Sequence, residues 1–506
     1  MKTLAIDLHK LSRAVNIALF FLMLLCFGAG FFISFYFHFL SVALLFVNVI
    51  NLSYLFGQKQ HTLLRNFGIL AQGRYLIESI GPELRQYLYS SDTEERPFNR
   101  DQRSEIYRKA YNIDSALSFG SLLETNTFDA KIKHSMYPVI PTELESYSVT
   151  FGEERGLSSA FTVTQPIMIS AMSYGALGAN AVRALARGAA KAGIPMNTGE
   201  GGYPKYHLME ECSLIFQIGT AKFGVRNPDG SLNDQKLIDL AKKPQIKMVE
   251  IKFSQGAKPG KGGLLPKEKV SDEIAEIRGV EKGVDVVSPP GHLECKDPKS
   301  TVQFIAKIQK LTGLPTGMKL CLGQVEEFRA LIQEMKTQEV FPDFITVDGA
   351  EGGTGAAPKP FLDQVGTPLL AALSTVQEIL VDAGVRDRLK LCASGKLINA
   401  GKIIEALSIG ADVCYSARGF MLSLGCIQAL QCGNNTCPVG ITTHDPSLQR
   451  GLDIEKKSER VKNYVSNIEH DFEQLLAATG RASYKDLSMD NLYIPRHNVL
   501  SKESND

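Results

Sequence analysis

The chain has 506 residues, with 55 Lys and Arg against 54 Asp and Glu; a net charge of +1 gives no electrostatic case for nucleic acid. An apolar share of 44% and a charged share of 22% are ordinary for a folded enzyme and speak against disorder. The length allows one large domain plus accessory segments.

From Ala14 to Gln58 there is no Asp, Glu, Lys or Arg. One membrane span needs about 20 apolar residues, so the run is long enough for two. Spans are expected near 15–35 and 38–56, with a tight turn around His38. Lys10 and Arg13 precede the run, and Lys59 and Arg65 follow it. Basic flanks at both ends place both on the cytoplasmic side of the inner (cytoplasmic) membrane, and the large domain with them. Gly28-Ala29-Gly30 would let the two helices approach closely. The run is too long for a signal peptide. Residues 1–60 are therefore read as a transmembrane hairpin, and 61–155 as a charged, irregular linking segment packed on the main domain.

From 156 to 445 short apolar runs alternate with helical patterns. Strands are expected at Pro166–Ala171, Met248–Lys252, Val284–Val287, Thr316–Leu320, Phe344–Val347, Leu389–Cys392 and Asp412–Tyr415. Helices are expected at Gly178–Ala192, stopped by Gly193 and Pro195, and at Val302–Leu311, stopped by Gly313 and Pro315. This alternation means an α/β fold with a parallel sheet, either a (β/α)8 barrel or an open doubly wound sheet. The barrel is favoured, because no G-x-G-x-x-G lies between a first strand and helix.

A barrel binds its ligand at the C-terminal ends of its strands, with phosphate near the last loops. Glycine-rich clusters fall there: Gly352, Gly353, Thr354 and Gly355; then Ser394, Gly395 and Lys396, leading into the helix of Ile403 and Leu407; then Ala417 and Arg418. Backbone N–H groups, a helix end and a guanidinium in those loops suit a phosphorylated cofactor. Other loops carry charge: Glu200 in Asn197–Gly202, Lys252 and Lys258 about Gln255, Arg278, and Lys319 at the end of an apolar strand. Cations gathered around one acid suit a dicarboxylate or keto acid; the competing reading is a solvated rim.

Cys426, Cys432 and Cys437 are spaced C-x5-C-x4-C and followed by Pro438. With no fourth cysteine nearby, a four-thiolate zinc site is poorly supported, and a three-thiolate iron–sulfur cluster fits better. The alternative is three small buried side chains. The other six cysteines are scattered, as reduced core thiols would be. Beyond the barrel, in the 446–506 extension, Ser458–Ala477 reads as an amphipathic helix with Val461, Tyr464, Val465, Ile468, Phe472 and Leu475 on its apolar side.

Ala171-Met-Ser-Tyr-Gly175, Asn197–Gly202, Gln255–Gly260, Gly352–Gly355 and the triple-cysteine stretch occur in that order in glutamate synthases, whose FMN-binding synthase domain this chain resembles over roughly 100–470. The resemblance implies a (β/α)8 barrel carrying FMN and a [3Fe–4S] cluster. It makes Cys426, Cys432 and Cys437 the cluster ligands. It places Met172, Ser173, Tyr174, Gly175, Gln255, Lys319, Gly352–Gly355, Ser394–Lys396, Ala417 and Arg418 around FMN. It puts Glu200, Lys258 and Arg278 at the 2-oxoglutarate site.

Full glutamate synthases begin with a glutaminase domain whose nucleophile is an N-terminal cysteine; here Met1 is followed by Lys2 and the apolar run. Leu264 stands where those enzymes usually carry a substrate-binding glutamine. The closer resemblance is to stand-alone, membrane-anchored glutamate synthase-like proteins. The expected activity is reductive amination of 2-oxoglutarate to L-glutamate. Ammonia is expected free or from a separate amidotransferase, and electrons from a ferredoxin or flavoprotein. The alternatives are another keto acid or amine, and a non-catalytic electron-transfer module.

Overall fold

The computed structural model describes residues 8–113, 116–123 and 130–494. The chain divides into two compact units, Met1–Asp101 and Gln102–Asp506.

In the first unit, α1 (Leu8–Phe32) and α2 (Tyr36–Leu52) form an antiparallel hairpin, and a π-helical turn, Ser53–Gly57, extends α2. The turn falls at Ile33–Phe35, a little before the expected His38. His38 instead lies in the first turn of α2 and packs among the rings of Phe27, Phe31 and Phe35. A Cβ on Gly30 would lie 2.4 Å from that imidazole, so Gly30 is what permits the close approach, whereas Gly28 faces open space. Asn51 Nδ2 donates to Asn16 Oδ1 at 3.0 Å, and Asn48 Nδ2 to the Leu19 carbonyl at 3.3 Å. Only 6% and 17% of the most apolar windows of the two helices are buried, far less than in the core helix of a soluble protein. Where an irregular linker was expected, α3 (Thr62–Phe67) and α4 (Ala71–Leu84) follow.

The second unit is built on a closed barrel of eight parallel strands. They are β1 (Ile167–Ile169), β2 (Met196–Asn197), β3 (Leu214–Ile218), β4 (Ile246–Lys252), β5 (Thr316–Leu320), β6 (Phe344–Asp348), β7 (Lys390–Ser394) and β8 (Val413–Ser416). Each pairs with its neighbour in sequence, and β8 closes on β1. Two expectations change. Val286–Val287 is not a barrel strand; it pairs antiparallel with Leu264–Leu265 in a hairpin over the mouth. The strands β2 and β3, which carry no strong alternation, complete the ring in its place.

Helix stops follow the sequence. Gly193 (φ +68°) and Gly313 (φ +63°) both end their helices in the left-handed conformation that glycine adopts without strain. The helix Pro298–Thr312 starts at a capping box on Asp297. Inside the barrel one carboxylate ties three strands together. Glu250 is fully buried and accepts hydrogen bonds from Asn197 (2.8 Å), Gln217 (2.7 Å) and Thr346 (2.8 Å). A buried charge is tolerated only when satisfied in this way.

The helix Ile454–Ala478 packs along the helix Ala179–Ala192, burying Val461, Tyr464, Val465, Ile468, Phe472 and Leu476. Leu476 takes the place foreseen for Leu475. A Cβ on Gly188 would lie 2.5 Å from Val461, so glycine sets that helix spacing.

Candidate active site at the barrel mouth

The C-terminal end of β4 delivers Lys252, and its ammonium joins two loops. It donates to Glu200 Oε1, in the loop after β2, and to Gln255 Oε1 at 2.6 Å. Lys258 donates to the Ala356 carbonyl at 2.6 Å, joining the loops after β4 and β6. Arg278 is buried, reaches the Tyr174 carbonyl at 3.4 Å, and leaves its Nε without a partner.

Three cations thus surround one carboxylate. Burial raises the Glu200 carboxyl, but Lys252, then Lys258 and Arg278, outweigh it and hold the group below the ordinary value. Burial, then Lys252, push Lys258 down to about 8, with Glu200 opposing. Burial takes Arg278 down to about 10, again opposed by Glu200. The cluster carries an excess of two positive charges in a place poorly solvated, which is an electrostatic demand for an anion.

Glycines make the room. A Cβ on Gly219 or Gly263 would meet the Glu200 carboxylate at 2.3 or 2.7 Å, and one on Gly175 would meet Arg278 at 2.8 Å. Two buried histidines brace the strand ends: His207 Nε2 binds the Met172 carbonyl (3.1 Å) and His292 Nε2 the Lys252 carbonyl (2.9 Å). A carbonyl only accepts, so Nε2 carries the proton in both rings. Burial holds both near pKa 4, opposed by those hydrogen bonds, so they are neutral at pH 7.

The predicted cofactor loops converge beside this cluster. Lys319, paired in register with Lys252, reaches Asp348 at 3.6 Å, and Asp348 accepts the Gly256 N–H at 2.8 Å. The Gly349 N–H donates to the Ser394 carbonyl at 2.8 Å, joining the loops after β6 and β7. Arg418 donates to the Glu351 carbonyl, and a Cβ on Gly353 would meet its side chain at 2.8 Å. Burial takes Arg418 down to about 10, with Asp348 and Glu351 opposing. Gly395 (φ +150°) and Lys396 (φ +50°) make the turn after β7. Thr354 caps its loop on the Ala356 carbonyl at 3.3 Å, Gly352 closes on Gly349, and Gly355 faces the cysteine loop. Ala417 leads into the helix Arg418–Leu424.

Two expectations shift. The helix Ala400–Ile409 starts beyond the Gly395 turn, and Asn399 already caps its Lys402 N–H (3.1 Å). That helix end is therefore already capped, which leaves the loop and Arg418 as the groups that could meet an anion there. Tyr174 turns its hydroxyl to Glu273 at 2.5 Å and its ring to Tyr206 and His444, so what it offers the mouth is backbone.

The cysteine loop lies against the same mouth. A Cβ on Gly433 would sit 3.3 Å from the Gly355 carbonyl, and His444 Nε2 binds the Gly175 carbonyl at 2.9 Å. Burial pushes the Cys426 thiol up to about 11, and burial also raises Cys432. Burial acts the same way on Cys437, yet hydrogen bonds from Thr442 and from the Val439 and Ile441 N–H groups bring it below the ordinary thiol value. Among the described residues no three His, Cys, Asp or Glu side chains close on a single metal ion. A polynuclear cluster spreads its ligands, and N–H groups aimed at a sulfur are what such a group uses.

The profile described as the conserved region in glutamate synthase matches residues 102–482, three quarters of the chain. The chain belongs to the glutamate synthase family. It is 39% identical to the glutamate synthase large subunit-like protein YerD of Bacillus subtilis, over 84% of this chain and 88% of that one. It is 34% identical to the archaeal glutamate synthase [NADPH] of Methanocaldococcus jannaschii, over 64% of this chain and 60% of that one. The archaeal-type glutamate synthase [NADPH] of Thermotoga maritima is 35% identical over 62% of this chain and 59% of its own. The flavin-binding domain of baker's yeast flavocytochrome b2 superposes at a TM-score of 0.45 with 13% identity, covering 78% of this chain and 79% of its own.

The residues present fit what the glutamate synthase family implies. Glycine-rich loops, Lys319 and Arg418 line a mouth suited to a flat, phosphorylated ring, and the cysteine loop, with N–H support at Cys437, adjoins it. Sequence reasoning missed several participants. Lys252 stood out only as one cation among several, and its bridge needs the fold. Lys269 is fully buried and binds the Ala176 and Cys432 carbonyls, linking the loop after β1 to the cysteines. Nothing in its surroundings in sequence marks it. Tyr107 and Arg103, on α5 (Arg100–Ala110), reach the Cys426 and Ile427 carbonyls at 2.5 and 3.4 Å from more than 300 residues away.

Proposed function

We propose that the chain is a glutamate synthase-type oxidoreductase that converts 2-oxoglutarate and ammonia, with two electrons and two protons, to L-glutamate and water. The observation that carries this reading is the buried cluster of Lys252, Lys258 and Arg278 around Glu200, whose surplus charge matches two carboxylates. The names of the curated relatives support the same reaction class.

Lys258 and Arg278 would hold the substrate carboxylates, orienting the keto carbon toward the loops after β6 to β8. Lys252 stays on Glu200 and fixes its position. Substrate carboxylates partly cancel the cationic field, so Glu200 regains basicity when the site is filled and takes a proton from the attacking ammonia. Lys319 neutralises charge at the end of β5, and Lys396 and Arg418 would hold the phosphate of FMN. Bound FMN would supply hydride chemistry, and a [3Fe–4S] cluster on Cys426, Cys432 and Cys437 one-electron transfer. Electrons would come from a ferredoxin or flavoprotein, and ammonia free or from a separate amidotransferase. Residues 11–57 would anchor the protein in the inner membrane with the barrel on the cytoplasmic side.

Anaerobically purified protein given a low-potential reductant, ammonia and 2-oxoglutarate should form glutamate. Yields no higher than those of a Cys432→Ser control would reject the reading. One observation favours another keto acid. Leu264, beside the Gly263 that touches Glu200, presents an apolar side chain at the hairpin. Screening keto acids for reoxidation of the reduced flavin separates the two.

A further inference from the structure

The segment after the hairpin carries a feature that neither the barrel nor the spans use. In α4 and the π-helical turn Arg85–Tyr89 that continues it, Leu76, Ile80, Leu84 and Leu88 recur every fourth residue, with Ile77 beside them. That spacing makes one apolar stripe along a helix. The stripe is bare: Leu76 and Ile77 are each 64% exposed, and Leu88 68%. Arg74 and Arg85 flank it, and Tyr87 lies along it, also exposed.

The helix is rooted at one level of the hairpin. Asn51 Oδ1, near the end of α2, accepts the Ile69 N–H at 2.7 Å. Gln72 donates to the Tyr54 hydroxyl at 3.0 Å, and Ser12, near the start of α1, donates to the Phe67 carbonyl at 3.0 Å. These contacts sit where both apolar helices begin and end, beside Arg13 and Lys59. In a spanning hairpin that level is the membrane–water interface.

We infer that α4 is an interfacial helix that lies in the headgroup region of the bilayer with Leu76, Ile77, Ile80, Leu84 and Leu88 turned into the lipid. Arg74 and Arg85 then meet phospholipid phosphates at its edge, and Tyr87 sits at the depth aromatic side chains prefer. The inference rests on the membrane-anchor reading above and extends it to a second, surface-bound element.

The chain contains no tryptophan, so a single introduced one reports alone. The full-length protein is reconstituted in phosphatidylcholine–phosphatidylglycerol vesicles as three variants: Ile77→Trp on the stripe, Glu78→Trp on the opposite face, and Leu24→Trp inside α1. Lipids brominated near the headgroup should quench Ile77→Trp more strongly than lipids brominated at the chain ends, as a depth of about 5–10 Å requires. Glu78→Trp should stay accessible to aqueous acrylamide. Three outcomes overturn the inference: Ile77→Trp unquenched by either lipid, quenched best by deep bromines, or accessible to acrylamide like Glu78→Trp. Leu24→Trp keeps the premises apart. If deep bromines quench it while Ile77→Trp escapes, only the interfacial helix fails; if it too escapes, the anchor fails.

Discussion

Lys258 is the residue whose chemistry is most exposed to test. Its pKa of about 8 belongs to the mouth without an anion, and a bound carboxylate would raise it. As pH rises through 8 the cation is lost, so KM for the keto acid should climb while kcat changes little. Lys258→Met removes a charge-assisted hydrogen bond of about 1.5–3 kcal/mol, so KM should rise about 10- to 100-fold and lose its dependence on pH above 7. Steady-state kinetics across pH 7–9 check this; a variant that keeps the parent's alkaline rise contradicts it. The histidines titrate on the other side of neutrality. His207 and His292 have folded values near 4 against 6.5 unfolded, so the unfolded chain binds more protons below 6.5. Their contribution to stability is complete above pH 6.5 and drains away as pH falls toward 4. Replacing both with glutamine should flatten that part of the Tm–pH curve; an unchanged slope would show that other groups set it. Residue identity made Glu200, Lys258 and Arg278 legible in the sequence. It could not show that Lys252 bridges Glu200 to Gln255, because that contact joins loops that only barrel closure brings together.

Among the elements, the cysteine loop makes the sharpest claim. Its neighbours are Tyr107, Arg103, Lys269 and the Gly355 carbonyl, so it is positioned by backbone contacts that survive a change at sulfur. Cys432→Ser should therefore lose its iron while keeping flavin and fold, measured by iron analysis, visible absorbance and circular dichroism together. Iron retained at the parent's level would remove Cys432 from the ligand set. Most elements could be read from pattern: the helix stops at Gly193 and Gly313, six of the barrel strands, and the C-terminal amphipathic helix. The misses have physical causes. Val284–Val287 looks like a strand because two-residue pairing at a hairpin and a buried strand share the same apolar signal. The strand β2 is only two residues long, too short for any periodicity. The helix α4 falls where an irregular linking segment was expected; Gly73, Gly81 and Pro82 lie inside it and weaken its helical signal.

For the molecule as a whole, the barrel is both scaffold and insulator. Its interior is pinned by Glu250, whose three donors come from β2, β3 and β6. Glu250→Ala strands those donors without water, so it should cost about 3 kcal/mol or more and lower the midpoint of chemical unfolding. A change under 1 kcal/mol would mean that the network relaxes or hydrates. Closure also explains why the charged residues of the mouth arrive from strand ends and the segments that follow them at one end, where cationic surplus, bare backbone and thiols adjoin. The direct measurement of what that assembly does is anaerobic: reduce the purified protein, remove excess reductant, add ammonia and 2-oxoglutarate, and follow the visible flavin absorbance while glutamate is assayed. The account predicts that the oxidised flavin band returns and that one glutamate appears for each electron pair given up. A band that stays bleached with both substrates present, in protein shown to hold flavin and iron, would contradict it.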